Sequence, residues 1–479
     1  MAIEELVGNQ SNNFLKYLIY LFLIILSACA TNYASIIKDT ESAYYSGDYA
    51  SAIPQIRALA NEADNKDRLL YLMEAGMIFH TKGDYESSIK AFKEAETLAD
   101  NIKVSITRQG LSFLLSDNES NFTGEDFERV LIKFYIALDY IFLGKYDDAK
   151  VYFRRLDIEL KEMKFAKGKY KQNLCARYLD AILSESLDRY NDARVQYKNI
   201  QEIEPSLVQV KGDRYVLAIK ENDSGDAAKN ADGKQYVNAY NTSMNPVNYS
   251  REMGEVIIIN QAGKAATKES RGKILNDEQF MLAMRGALET AIASKGAAAS
   301  VGGVLASMSL AENPVPIYVK RDVKSALPKA VLVNGRNTGE AAIYNDYSET
   351  AMQNFNENYT TIVAKNVASI AVKMVAAAVA SEAMARSLDK GKNNDMVTGL
   401  IKLGAGALAG YAASQTIAPD LRSWRLLPSS YQIKRMHLQP GEYKIEIPGG
   451  KLPDGSETAT VKITSGQQIF LNFRTYSSD

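Results

Sequence analysis

The chain of 479 residues predicts an α+β fold: an N-terminal α-helical solenoid, then a mixed domain with Ala/Gly-rich helices and a small antiparallel C-terminal sheet. Three observations carry this expectation. A helix–turn–helix pattern recurs between residues 40 and 205, strand-like β-branched runs gather after residue 250, and long alanine- and glycine-rich stretches lie between those runs. Helical and strand periodicities that occupy separate parts of a chain point to α+β rather than to alternating α/β architecture.

The first segment reads as an address rather than as part of the fold. Tyr17 to Leu26 carries no charge, Lys16 precedes it, and Ser27-Ala28-Cys29 follows. A charged flank, an apolar core shorter than the roughly 20 residues that span a bilayer, and small residues before a cysteine have the layout of a bacterial lipoprotein signal. The processed chain is then expected to begin at a diacylated Cys29 and to be held at a membrane without crossing it, since two or more acyl chains give stable anchoring. Glu4 and Glu5 make the flank unusually acidic, so the true translation start is expected further downstream. Ala30 and Thr31 stand where an aspartate commonly signals inner-membrane retention in such lipoproteins. The expected location is therefore the bacterial outer membrane, lipid-anchored and facing the periplasm.

The repeats have a mechanism. Gly47-Asp48-Tyr49 is followed by Ala52, Ile56 and Leu59, and Gly83-Asp84-Tyr85 by Ser88, Phe92 and Ala95. Gly144-Lys145-Tyr146 is followed by Ala149, Phe153 and Leu156, and Tyr190 by Ala193, Tyr197 and Ile200. In every copy the followers stand 3, 7 and 10 residues after the tyrosine, on one stripe of an α-helix. The glycine makes a tight turn, the aromatic packs the corner, and the small residue lets two helices approach. Gly76 and Phe79, Ala137 and Tyr140, and Ala181 hold matching places on a preceding helix. This pattern resembles the tetratricopeptide repeat (TPR), a helix pair of about 34 residues that stacks into a solenoid. Tyr49 and Tyr85 are 36 residues apart, near that period; the next gaps, 61 and 44, mark an interrupted, TPR-like array.

In such a solenoid the first helix of each pair lines the inner groove. The candidate partner-binding residues are Met73 and Met77, then Phe134, Leu138 and Ile141, then Tyr178 and Ile182. An open groove this apolar would be a sticky patch, so something should cover it. Two occupants are expected: the protein's own later segments, or an apolar peptide or helix from a partner.

After Pro205 the texture changes. Residues 221–250 are rich in Asn, Asp, Gly, Lys and Ser and read as a linker or long surface loop. Strands are expected at Glu255–Asn260, Pro314–Lys320 and Ala330–Gly335, and at the end of the chain over Tyr443–Ile447, Thr460–Ile463 and Gln468–Arg474. Small-residue helices are expected over 277–310, 347–388 and 396–413, suited to close helix packing; Lys295, Lys365, Lys373 and Glu382 argue against their spanning a membrane. The expected organisation is thus a signal peptide (1–28), an anchor linker (29–39), TPR-like repeats (40–205), a linker (206–250), a mixed strand and Ala/Gly-helix region (251–427) and a C-terminal β domain (428–479).

Composition bounds the function. Lys plus Arg (56) and Asp plus Glu (57) nearly cancel, so no global field points to nucleic acid. Besides Cys29 the chain has only Cys175, which reads as a small core residue, and its two histidines, His80 and His437, lie far apart and read as structural. No P-loop, GxSxG elbow or HExxH occurs, and the Gly404–Gly410 run lacks the strand and spacing of a dinucleotide loop. No catalytic residue, cofactor or metal is expected.

Asp420-Leu421-Arg422-Ser423-Trp424-Arg425-Leu426-Leu427-Pro428 holds the only tryptophan, which is expected to plug the junction between helices and terminal sheet. With Thr123-Gly124-Glu125-Asp126-Phe127-Glu128-Arg129 and Pro440-Gly441-Glu442-Tyr443, this segment resembles a little-characterised family of bacterial TPR-containing lipoproteins. The resemblance covers essentially the whole mature chain and supplies no catalytic residues. With no catalytic motif, the repeats and Cys29 lead to the expectation of a non-enzymatic scaffold, anchored through Cys29, that binds a protein partner in the cell envelope and serves envelope assembly or, by analogy of fold, regulation of a cell-wall synthase. The alternative is a structural subunit of a secretion or surface assembly, with the Ala/Gly helices as oligomer contacts.

Overall fold

A computed structural model of the chain describes residues 33–62, 66–109, 121–162, 173–293, 311–388 and 417–476, with isolated positions between 404 and 414. The signal segment, Cys29 and most of the 396–413 stretch lie outside the described residues.

The repeats fold as helix pairs: α1 (Lys38–Tyr45) with α2 (Tyr49–Glu62), α3 (Arg68–Lys82) with α4 (Tyr85–Gln109), α5 (Asp126–Phe142) with α6 (Tyr146–Glu162), and α7 (Leu174–Ser186) with α8 (Tyr190–Ile203). Each second helix begins at the motif tyrosine. Gly47, Gly83 and Gly144 turn the chain in the left-handed region, with φ of 80°, 85° and 70°. In the fourth copy Asp188 occupies the same place with φ 53°, a conformation that aspartate tolerates better than most non-glycine residues. The followers Ala52, Ile56, Ser88, Phe92, Ala95, Ala149, Phe153, Leu156, Ala193, Tyr197 and Ile200 are all buried. A Cβ built on Gly76 would stand 2.5 Å from the Phe92 ring, so only glycine permits this approach of α3 to α4.

The stretch expected to be a linker, 206–250, folds onto the end of the repeats. It forms α9 (Gln209–Glu221), α10 (Ser224–Lys229), a 3₁₀ turn over Ala231–Tyr236 and the short strand β1 (Ala239–Tyr240). Polar composition hid this, because the apolar side chains that α9 buries against the stack are few, Val210, Val216, Leu217 and Ala218. Asn222, with φ 62°, ends α9, and the Asp223 side chain accepts the Asp226 N–H to start α10.

The remaining strands are β2 (Gly254–Ala262), β3 (Lys264–Glu269), β4 (Ile317–Arg321), β5 (Ala330–Val333), β6 (Arg336–Glu340), β7 (Ala342–Asp346), β8 (Ser430–Leu438), β9 (Gly441–Glu446), β10 (Gly450–Lys451), β11 (Thr458–Ile463) and β12 (Gln468–Thr475). The larger sheet runs β1-β8-β2-β12-β10, with β7 also on β8; a second runs β11-β9-β5-β6; β3 and β4 pair separately. β2 lies antiparallel to β8, from Gly254 opposite Leu438 to Ala262 opposite Ser430. It lies parallel to β12, from Gln468 opposite Glu255 to Thr475 opposite Ala262. The larger sheet is therefore mixed, and the terminal strands β8 and β12 pair with residues 254–262 instead of standing apart as a separate domain over 428–479.

Three layers result. Ile257, Ile259, Tyr431 and Ile433 point into one core with the repeat helices. Their neighbours Val256, Ile258, Met436 and Leu438 point into a second core with Val331, Val333, Ile445 and Val461 of the other sheet. Coverage on both faces explains why Val256-Ile257-Ile258-Ile259 reads as a continuous apolar run. Beyond the sheets, α11 (Glu278–Ala293) packs on α12 (Tyr347–Leu388), whose 42 residues make it about 63 Å long. Among the described residues no helix is long and apolar enough to cross a membrane.

Candidate functional site

The seven groove residues lie in one buried core. Met73 and Met77 of α3, Phe134, Leu138 and Ile141 of α5, and Tyr178 and Ile182 of α7 are all buried, within one core that also holds Ile257, Ile259, Tyr431 and Trp424. The Phe134 ring meets Tyr431 of β8 edge-on at 5.0 Å, and Tyr178 stacks on Tyr344 of β7 at 4.4 Å. Of the two expected occupants the protein's own later segments fill the groove. These seven side chains are removed from water in the same core as residues of β2, β7, β8 and the segment before β8.

That segment, residues 417–429, is an irregular strap threaded across the first helices. It is held by its main chain as much as by its side chains. The Trp424 N–H donates to Glu128 Oε1 of α5 at 2.9 Å. The Arg425 and Leu426 N–H groups donate to the two carboxylate oxygens of Glu74 of α3, at 2.8 and 3.1 Å, and the Tyr33 hydroxyl donates to Glu74 at 2.9 Å. The Arg425 carbonyl accepts from Tyr45 of α1 at 2.8 Å and from Arg321 of β4 at 2.5 Å. Two ion pairs flank the amides: Arg422 to Asp67 at 2.7 Å and Arg425 to Glu41 of α1 at 2.7 Å. Between them the buried Trp424 ring lies 5.8 Å from both Phe92 and Tyr135, plugging the junction as expected. An ordinary hydrogen bond contributes roughly 0.5–1.5 kcal/mol net, so the three amide bonds together hold the strap by only a few kcal/mol. Burial pushes the Glu74 carboxyl up to about 8 and that of Glu128 up to about 7, against the pull of these donors.

A second polar cluster joins the last repeat helices to the sheet. Arg435 of β8 is fully buried and forks to Glu185 of α7 (2.9 and 2.8 Å) and to Glu255 of β2 (2.7 Å), with Asp213 of α9 at 3.3 Å. Lys220 of α9 pairs with Glu185 at 2.8 Å and also with Glu255. Burial opposes ionisation of Glu185, but Arg435 and Lys220 outweigh it and bring the carboxyl down to about 2. At Asp213 burial wins over Arg435 and the group rises to about 7. His437, buried beside Glu255, is pushed down to about 3 by burial and is neutral in the fold. Two ionised acids thus balance two cations, with Asp213 as the third, titratable acid. The geometry is that of a structural joint; removing one member of such a buried set costs about 3–5 kcal/mol.

His80 is likewise structural. Its Nδ1 lies 2.5 Å from Asp139 and its Nε2 2.6 Å from the amide nitrogen of Gln261, whose oxygen accepts from Tyr431 at 2.9 Å. The amide orientation makes Nε2 the acceptor and leaves the proton on Nδ1, facing Asp139. Cys175 is buried, with its thiol pushed up by burial, as befits a small core residue. Among the described residues no group of His, Cys, Asp or Glu side chains could hold a metal ion. Glu74 escaped notice in the sequence, where the only hint is a carboxylate inside an otherwise apolar helix stretch; Glu128 stood in the Thr123–Arg129 segment with no role assigned to it.

Residues 70–102, covering most of α3 and of α4, match the tetratricopeptide repeat family model. The protein therefore contains a tetratricopeptide repeat, a fold that mediates protein–protein interaction, and the repeats from α1 to α8 extend that pattern. A solved tetratricopeptide repeat protein from Parabacteroides merdae is similar at 17% identity and a TM-score of 0.21, over 42% of this chain and 77% of that one. No curated protein matches the chain.

Proposed function

We propose that the protein is a lipid-anchored, protein-binding TPR scaffold of the bacterial cell envelope, held at the outer membrane through Cys29. The observation that carries the binding reading is the strap: the repeat groove already holds an extended peptide by its main-chain amides, with Glu74 and Glu128 as acceptors. The anchor reading is supported by the Leu26-Ser27-Ala28-Cys29 pattern behind an apolar run. Service in envelope assembly or cell-wall synthase regulation is the finer form of this reading. It is tested by metabolic labelling with an alkyne fatty acid and membrane fractionation of the wild type and Cys29→Ser, followed by crosslinking and capture of the anchored protein. Label on the wild type alone, loss of the variant from membranes and capture of envelope proteins are expected. A Cys29→Ser protein that stays at the membrane overturns the anchor.

A second reading, a subunit of a secretion or surface assembly, is favoured by the α11–α12 pair, which leaves Leu282 75% and Val372 45% exposed. Rings or filaments in size analysis of the released protein would support it; a monomer would not.

A further inference from the structure

We propose that the strap is an exchangeable resident ligand, and that the groove beneath it takes from a partner an extended peptide of the same chemistry: an arginine, an aromatic residue two positions on, a second arginine and then aliphatic residues. This rests on the protein-binding reading above and names the ligand of that groove.

Four observations lead there. First, the strap has no helix or strand of its own between residues 417 and 429, so the repeats hold it as they would hold a separate peptide. Second, the groove reads it in a sequence-tolerant way through three consecutive N–H groups, those of Trp424, Arg425 and Leu426, with acceptors spaced on two neighbouring first helices. Third, the ends of the reading frame are acidic. Asp67 takes Arg422 and Glu41 takes Arg425, which sets the charge and spacing that an incoming segment must carry. Fourth, the fit is incomplete: among the described residues, Ser423 Oγ and Trp424 Nε1 are buried without a hydrogen-bond partner. Buried donors left unmatched weaken a bound segment, so a partner peptide that lacks them, or that satisfies them, competes on better terms. The sheet beneath is held instead by continuous main-chain ladders: β2 pairs with β8 from Gly254 to Ala262 and with β12 from Glu255 to Ala262.

Two measurements on the purified full chain in detergent test the exchange. In hydrogen exchange, the amides of residues 424–426 are expected to exchange at least tenfold faster than those of Ile257 to Ile259, because the strap opens without the sheet. In fluorescence anisotropy the probe is a labelled synthetic peptide of residues 418–428. It is expected to bind Arg422→Ala/Arg425→Ala, whose own strap is loosened, at least tenfold more tightly than the wild type. A control peptide with both arginines replaced by glutamate should not bind, and adding Glu74→Gln to the loosened variant should abolish binding. Exchange of residues 424–426 at the rate of the sheet core overturns the proposal, whether or not the double variant folds. So does a folded double variant that ignores the peptide, or one that binds the glutamate control equally. None of these readouts involves Cys29 or a cell, so the anchored-scaffold reading can fail without them and they without it.

Discussion

Asp213 gives the sharpest test of the buried joint between repeats and sheet. Its Oδ2 accepts from the Tyr178 hydroxyl at 2.8 Å and its Oδ1 faces Arg435 at 3.3 Å, and burial lifts it to about 7. In the unfolded chain an aspartate titrates near about 3.9. A folded value above the unfolded one means that the fold binds the extra proton, so stability from this group is full in acid and is lost as pH rises towards the folded value. Between pH 5 and pH 7 the loss runs at about 1.4 kcal/mol per pH unit at most, or about 2 kcal/mol over the window, since the site is half ionised near its upper end. Asp213→Asn keeps the shape and an acceptor oxygen but cannot ionise. Urea unfolding followed by the single buried tryptophan, Trp424, measures both proteins at pH 5, 6, 7 and 8. Glu74 and Glu128 titrate with the same sign, and His437 with the opposite sign because it is neutral in the fold and charges when unfolded below about 6.5. All three remain in both proteins and drop out of the difference. The expected result is that the asparagine variant gains about 2 kcal/mol on the wild type between pH 5 and pH 7. A difference that stays flat with pH refutes the reasoning.

Met73→Glu places a carboxylate in a fully buried site between α3 and the sheet, and is expected to destabilise by more than about 4 kcal/mol, read as loss of a cooperative urea transition. Groove variants of this kind therefore report on folding rather than on partner contact; a stably folded Met73→Glu protein would mean that the groove opens. Gly76→Ala sets Cβ against the Phe92 ring and should cost about 1–3 kcal/mol by denaturant midpoint. Helix propensity by itself would make it stabilising by about 0.5–1 kcal/mol, so the sign decides between the two effects. Trp424→Ala empties the plug between Phe92 and Tyr135 and is expected to cost about 3–5 kcal/mol in the same assay.

Much of the helical half was legible. The tyrosine register located the start of every second helix, and the glycine before it marked the left-handed turn, because both are local requirements of backbone geometry. The fourth turn lacked its glycine and was still placed by Ala193, Tyr197 and Ile200. The 206–250 stretch was misjudged for a comparable reason: a short helix such as α9 that buries few apolar side chains carries little apolar signal, and its polar residues read as loop. The groove residues were identified as a surface, but whether chain or partner covered them depended on contacts between segments separated by more than 250 residues, such as Glu128 with Trp424.

The sequence by itself determined the repeats, their turns, the apolar inner face and the α+β division, since each follows from periodicities within a few tens of residues. It also states the Cys29 pattern, which the described residues do not reach. Tertiary structure alone decided that β8 and β12 flank residues 254–262 and that the strap occupies the groove. It alone assembled Glu185, Asp213, Lys220, Glu255 and Arg435 into one joint. Charged residues scattered over 250 positions carry no local signal of their pairing; burial between helices and sheet is what brings them within reach and forces them to satisfy one another.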